Sequence, residues 1–511
     1  MRLHFPSGFD PRLLLRPRRR GIASVNSEVR DGIVPAADGI ARTVDQGGGG
    51  ASINYRTVAL IVACAMFMEN LDATVLATAL PTMARDFGVH APEMSVALTS
   101  YLLALAMFIP ASGAVADRFG AKNVFRAAIG LFMTGSLACG LAPNLPLMTL
   151  ARFAQGIGGA MMMPVGRLVL LRSVAKRDMV SAMSWLIMPA LIGPIVGPPV
   201  GGLIVTYLDW RWIFWLNLPI GLIGIVLVGR FIADIREPST ARFDRSGFLL
   251  SAIALGCLLS GFEAASRASA ARLAGPLIAI GVVAGWLYLR HARRAEHPIL
   301  DVSLMRVPTF RLSVIGGSLT RITQGAQPFL LPLMMQLGFG LSPAQSGVMT
   351  VSGAIGSFGM KPVARRLLRA LGFRTSLVVM GVLATLAYAS CGLFRPGWPL
   401  AGVFAVLVLS GFLMSFQFTA YNTIAYDEIG KERMSAATSF YSTFQQLMLS
   451  LGICLGATAL HVSMVAHHRP EPVFGDFSVA FWTVTAISLL AVPVNARFHP
   501  NAGAEMSGRS S

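Results

Sequence analysis

Apolar stretches of about 20 residues, the length that crosses a bilayer core as a helix, recur along almost the whole chain, each bounded by charges or by Pro/Gly turns. Fourteen can be placed, at 55–80, 93–116, 123–142, 147–171, 180–206, 212–233, 246–262, 274–289, 309–337, 343–364, 373–394, 399–425, 435–461 and 477–494. The pattern predicts an all-α polytopic membrane protein.

Charge placement orients these spans. Every second loop is rich in bases: Arg118, Lys122 and Arg126; Arg172, Lys176 and Arg177; Arg236, Arg242 and Arg245; Arg290, Arg293 and Arg294; Arg365, Arg366 and Arg369. The intervening loops hold one or two at most, such as Arg85, Arg211, Arg395 and Arg469. By the positive-inside rule both termini are expected in the cytoplasm. The same distribution accounts for the net charge of +18 without a nucleic-acid partner. With 54% hydrophobic and only 13% charged residues, and a mean hydropathy of +0.64, the chain is far from the roughly 25% charge of soluble domains.

Residues 1–54 differ in kind. They carry eight Arg against five Asp/Glu and a Gly47–Gly50 tract, which predicts a flexible cytoplasmic tail. Its RPRRR cluster could touch anionic lipid. No apolar core of a cleavable signal peptide precedes Tyr55, and a start codon assigned too far upstream would also explain the segment.

Enzyme chemistry finds no foothold. The five cysteines, Cys64, Cys139, Cys257, Cys391 and Cys454, fall in predicted helices and read as small buried apolar residues. No GxxxxGK[ST] loop, HExxH, nucleophile elbow or CxxC occurs. Neither metal nor cofactor is expected, and an ion gradient is the expected energy source.

The polar groups inside the spans are the candidate chemistry, because a carboxylate at bilayer depth is costly and rarely kept without use. Glu69 and Asp72 stand in the first span, about 60° apart around a helix, on a face shared with Ala65, Ala73 and Leu76. Burial and a like charge nearby both favour protonation of a carboxyl, so one of such a pair can exchange a proton near neutral pH. A paired or snorkelling structural acid is the alternative for Glu69.

Several stretches carry a family resemblance. GAVADRFGAKNVF, with Gly113, Asp117, Arg118, Gly120 and Lys122, looks like the motif between the second and third helices of the major facilitator superfamily. Gly113 there would let helices approach closely, Gly120 would allow a tight turn, and Asp117 could pair with an Arg or cap a helix. ARFAQGIGGAMMMP resembles the superfamily's second motif, and the resemblance implies a role in proton coupling for Arg152; a structural ion pair is the alternative. GPIVGPPVGG, with Gly193, Pro194, Gly197, Pro198, Gly201 and Gly202, resembles the antiporter motif and implies outward transport, while its spacing alone predicts one smooth face for another helix.

LDATVLATALP, TSYLLALA and WRWIFWLNLPIG narrow the resemblance to the fourteen-helix drug–proton antiporter family of the QacA/EmrB type. It implies a six-helix bundle at 55–234, a linker with two inserted helices at 235–308, a second bundle at 309–497, and a cytoplasmic tail at 498–511. The halves should form a parallel pseudo-repeat. Aligning Gly372 with Gly120 sets Arg369 opposite Asp117 and Ala370 opposite Arg118, a degenerate second copy. The motif's acid matches Asp72, making it the principal proton-coupling candidate, with Glu69 second.

Cavity candidates are Gln155, Met162, Arg321, Gln324, Gln417, Tyr421 and Asn422, each with helix-to-helix bonding or core packing as the plainer reading. Glu263 is expected near the outer interface, facing water. The C-terminal spans hold no acid before Asp427 and Glu428, which puts dicationic substrates in doubt, and Arg321 in a cavity would favour neutral or anionic ones. The expected function is a proton-coupled exporter of lipophilic drugs in the bacterial inner membrane, working alone or with accessory export proteins. Export of an endogenous metabolite, or a transport-dead sensor, are the alternatives.

Overall fold

The computed structural model describes residues 55–174, 179–232, 243–265 and 270–507. The tail expected at 1–54 and the loop bases Lys176, Arg177, Arg236 and Arg242 lie outside them. Among the described residues there is no strand; the helices are α1 (Tyr55–Phe87), α2 (Ser95–Phe108), α3 (Ser112–Phe119), α4 (Ala121–Leu141), α5 (Leu145–Ser173), α6 (Met179–Tyr207), α7 (Trp212–Trp215), α8 (Asn217–Phe231), α9 (Arg245–Ala265), α10 (Ala271–Ala292), α11 (Pro308–Leu333), α12 (Pro343–Ala389), α13 (Leu400–Ile424), α14 (Met434–Ala466), α15 (Phe474–Leu489), α16 (Ala491–Asn495) and α17 (Ala504–Ser507). Eleven helical segments among the described residues are long and apolar enough to cross a membrane.

Helix ends depart from the apolar runs in a consistent way. α1 continues through Pro81 to Phe87, where the sequence predicts a stop at 80. The proline costs one backbone bond, to the carbonyl four residues earlier, and the helix tolerates it. α5, α10, α11 and α12 also continue through internal prolines. Punctuation falls instead on glycines that need a left-handed backbone: Gly120, with φ +86°, separates α3 from α4, and Gly372, with φ +73°, kinks α12. These are the two glycines that the pseudo-repeat aligns.

Packing differs between the two ends of the bundle. At the end where α1 turns into α2, one core cluster draws side chains from both halves, including Met83, Met94 and Trp210 with Met335, Phe394 and Phe477. At the other end the cores separate. Val124, Val165 and Val228 pack within the first half, while Phe310 with Tyr441, and Met360 with Phe373, pack within the second. Polar bonds cross between the halves on the shared side, from Gln336 Nε2 to the Thr78 carbonyl at 2.9 Å and from the Ala344 amide to Thr206 Oγ1 at 3.0 Å.

At the periphery the C-terminal segment packs on the second half, and one expectation is corrected. The C-terminal segment folds back, with Phe498 buried in the second-half core and the Gly503 amide donating to Asp427 at 2.9 Å. Cys64 is exposed, so it is not one of the buried apolar cysteines.

Candidate functional site

The first half closes around one buried ion pair. Arg152 on α5 donates Nη1 to Asp72 Oδ2 on α1 at 2.6 Å, and the two side chains are 1% and 0% exposed. Asp72 Oδ1 accepts from Gln155 Nε2 and from Asn217 Nδ2, both at 2.9 Å. Arg152 also donates Nε to the Ala97 carbonyl of α2 at 3.1 Å and Nη1 to Gln155 Oε1 at 2.7 Å. Its guanidinium lies 4.6 Å from the Tyr101 ring centroid. Asn217 donates again to Ser136 Oγ at 3.0 Å, and Ser136 donates to the Phe214 carbonyl at 2.8 Å. Five helices, α1, α2, α4, α5 and α8, thus meet at one compensated charge pair, the condition under which burying two charges is tolerable.

Small residues make that meeting possible. A Cβ on Gly156 would lie 2.7 Å from the Tyr101 carbonyl oxygen, and one on Gly135 would lie 2.6 Å from the Gln155 Cα. The ARFAQGIGGA phrase therefore supplies both the charge and the clearance that lets α2 and α4 reach it.

Glu69, one turn before Asp72, has a different setting. It is 8% exposed, and its Oε2 is buried without a hydrogen-bond partner. Of the two acids, Asp72 has its oxygens filled and Glu69 does not.

The motif that runs through α3 into the first turn of α4 is arranged for contact between helices. Asp117 accepts from Arg172 Nη2 of α5 at 2.9 Å, and Lys122 Nζ donates to the Gly229 carbonyl in the last turn of α8 at 2.9 Å. A cation there also meets the negative end of the helix dipole. Arg118 is exposed and lies 5.5 Å over Phe119. Gly113 does not serve close approach: a Cβ there would meet nothing within 4 Å. At the corresponding place in the second half, Arg369 makes no ion pair among the described residues.

The glycines of α6 line α1 and α12. A Cβ on Gly193 would come within 2.9 Å of Asn70 Cβ, and one on Gly201 within 2.6 Å of the Val75 carbonyl; Gly197 faces Thr74, and Gly202 faces the Pro343 carbonyl. Pro194 and Pro198 turn instead toward a cavity of about 310 Å³ between α1, α6, α11, α12 and α13. Gln324 lies in its wall, with Gln327, Thr350, Ser357 and Phe418.

The other cavity candidates go elsewhere. Gln155 belongs to the ion-pair network. Met162 is fully buried in the first-half core, since three consecutive methionines on a helix cannot share a face. Gln417 points at Gly381 of α12, with Nε2 at 3.2 Å from where a Cβ would stand. Tyr421 donates to Asn495 Oδ1 at 2.7 Å, and Asn422 returns its Nδ2 to the Phe418 carbonyl at 2.7 Å. Arg321 is buried behind Gln324, to whose Oε1 it donates at 3.1 Å. Glu263 does not face water: it is 7% exposed and accepts from Ser95 Oγ at 2.8 Å, Thr99 Oγ1 at 3.2 Å and Cys454 Sγ at 3.1 Å. It stands in the wall of a second cavity, of about 540 Å³, between α2, α5 and α9.

Asn217, Ser136 and Tyr101 are the residues that sequence reasoning missed. The available signal was Asn217 itself, an amide in an apolar phrase between Leu216 and Leu218.

A family model described as Major Facilitator Superfamily matches residues 62–453. The chain belongs to the major facilitator superfamily. It is accordingly a multi-pass membrane transporter and not an enzyme. Among its relatives, a protein of Escherichia coli O6:H1 provisionally named multidrug resistance protein MdtD is 38% identical over 85% of this chain and 92% of its own length. The MdtD of Shigella flexneri is 38% identical over 78% of this chain and 85% of its own. A bacterial homologue of the human lysosomal transporter Spinster, crystallised in an inward-facing and unoccupied conformation, superposes with a TM-score of 0.60 at 13% identity, covering 91% of this chain and 100% of that one. A D-xylose–proton symporter gives 0.60 at 13% identity, covering 86% and 97%. At these identities the two structures speak for the fold alone.

Proposed function

We propose that this major facilitator protein is a proton-coupled multidrug efflux transporter of the bacterial inner membrane, with both termini cytoplasmic. The name shared by the MdtD relatives supports efflux, and the antiporter-like phrase along α6 supports the outward direction. Fourteen spans are part of the proposal. To the eleven apolar segments it adds α6, whose apolar part runs over Ile192–Tyr207, the polar α11, and the division of α12 at Gly372.

With the basic loops inside, the end where the halves share one core is the outer end. The conformation is then an inward-facing one, sealed on the outside. The energy comes from the proton gradient, worth about 2.3 kcal/mol per charge across 100 mV.

The observation that carries the coupling mechanism is the contrast between the two acids of α1. Asp72 is engaged by Arg152, Gln155 and Asn217, which leaves no place for a substrate group in this conformation. Glu69 retains an oxygen with no donor, so the proton is taken up and released there. Asp72 acts as the switch: releasing Arg152 from it would free α5 from α1 and α8 and permit the rocking of the two halves. In this account Arg152 transmits the change and takes no proton.

Reconstituted protein containing a trapped pH dye tests the proposal. Adding transported compounds should move protons in the parent and not in Glu69→Gln. Proton movement preserved in Glu69→Gln would refute this assignment, and its absence in the parent across cationic, neutral and acidic compounds would refute coupling itself.

A further inference from the structure

Resting on the export reading above, we propose that the cavity between the halves receives an organic anion, such as an amphiphilic carboxylate, with Arg321 as its charge anchor. Arg321 is 3% exposed. Its guanidinium lies 4.2 Å from the Phe418 ring centroid, donates to Gln324 Oε1 at 3.1 Å and, with the Gln445 amide turned to accept, reaches that oxygen from Nη1 at 2.6 Å and from Nη2. Every one of these partners is neutral. Among the described residues no Asp or Glu pairs with Arg321, whereas Arg152 has Asp72.

Two of its neighbours, Gln324 and Phe418, form part of the wall of the 310 Å³ cavity. The rest of that wall is apolar or bears neutral hydroxyls and amides, and contains no acid. One turn beyond Ser357 and Ser415, Lys361 Nζ donates to Thr419 Oγ1 at 3.4 Å. Arg321 thus stands directly behind the wall, and Lys361 one turn beyond it, at a cavity whose lining comes from both halves and holds no acid. A buried cation with only neutral acceptors lacks the counter-charge that makes burial cheap. A carboxylate entering beside Gln324 supplies it, in the planar geometry that a guanidinium binds best. The apolar part of the ligand would lie against Ala77, Pro328 and Met414.

The test is equilibrium binding to the full chain in nanodiscs, using 1-naphthylacetate and its uncharged isostere 1-naphthylacetamide. The parent should bind the acid about tenfold or more tightly than the amide. Arg321→Gln should erase that preference by weakening only the acid, and Arg321→Lys should keep part of it. Equal affinities in the parent, no binding of the acid, or a preference that survives in Arg321→Gln would overturn the proposal. Binding is read without transport, so a charge preference seen in protein that moves no protons would leave this inference standing while the coupling mechanism fell.

Discussion

The two halves bury one arginine each in opposite ways. In the first, Arg152 is matched by Asp72 and held by an amide and a carbonyl, so the charge pair ties helices together. In the second, Arg321 is held by amides and an aromatic ring with no carboxylate among the described residues. Charge that is compensated within the fold serves the scaffold and its switching, and charge left uncompensated beside a cavity is available to a ligand. The same residue type in a spanning helix therefore means different things, and only its partners tell which.

The largest expected effect comes from breaking the compensated pair. Arg152→Gln leaves Asp72 buried without its cation and should cost about 3–5 kcal/mol, read as a fall in the unfolding midpoint in nanodiscs. The double variant Asp72→Asn with Arg152→Gln should recover much of that loss and remain inactive. Arg321→Gln removes an uncompensated charge and should leave stability unchanged or improve it. If Arg321→Gln were as damaging as Arg152→Gln, the contrast between the halves would fail.

Next in size is the glycine face of α6. Gly201→Leu drives a side chain into the Val75 carbonyl and should cost about 1–3 kcal/mol, whereas Gly113→Ala enters open space and should change stability by less than about 0.5 kcal/mol. Asp117→Asn should cost about 1 kcal/mol or less, because the Asp117 side chain is 32% exposed. Its larger effect should appear in transport rate.

The smallest effect lies outside the spans, at Asp301. Burial pushes this carboxyl up, but hydrogen bonds from Ser303 and Arg433 outweigh it and hold the group below the usual carboxylate range. A lowered folded-state value stabilises above the ordinary aspartate pKa of about 3.9 and is lost as pH falls through the lowered value. The stability difference between the parent and Asp301→Asn should therefore be present at neutral pH and vanish in acid.

Much of this was legible in the sequence, for identifiable reasons. Apolar length located most of the long helices, and the rarity of charge inside them singled out Glu69, Asp72, Arg152 and Arg321. The need for positive φ made Gly120 and Gly372 recognisable as breaks. What could not be read was facing. Met162, Gln417 and Tyr421 are as polarisable or polar as cavity residues should be, yet each turns into a helix contact because of rotational position set by tertiary packing. Gly113 had the composition of a contact glycine without a neighbour. Asn217, between leucines at the start of α8, carried no sign that it would complete the shell of an acid 145 positions away.

The most direct test of the central claim separates movement from coupling in proteoliposomes, by comparing counterflow of labelled against unlabelled substrate with accumulation driven by a proton gradient. Glu69→Gln should keep counterflow and lose driven accumulation, and Asp72→Asn should lose both. Driven accumulation intact in Glu69→Gln, or counterflow intact in Asp72→Asn, would contradict that claim.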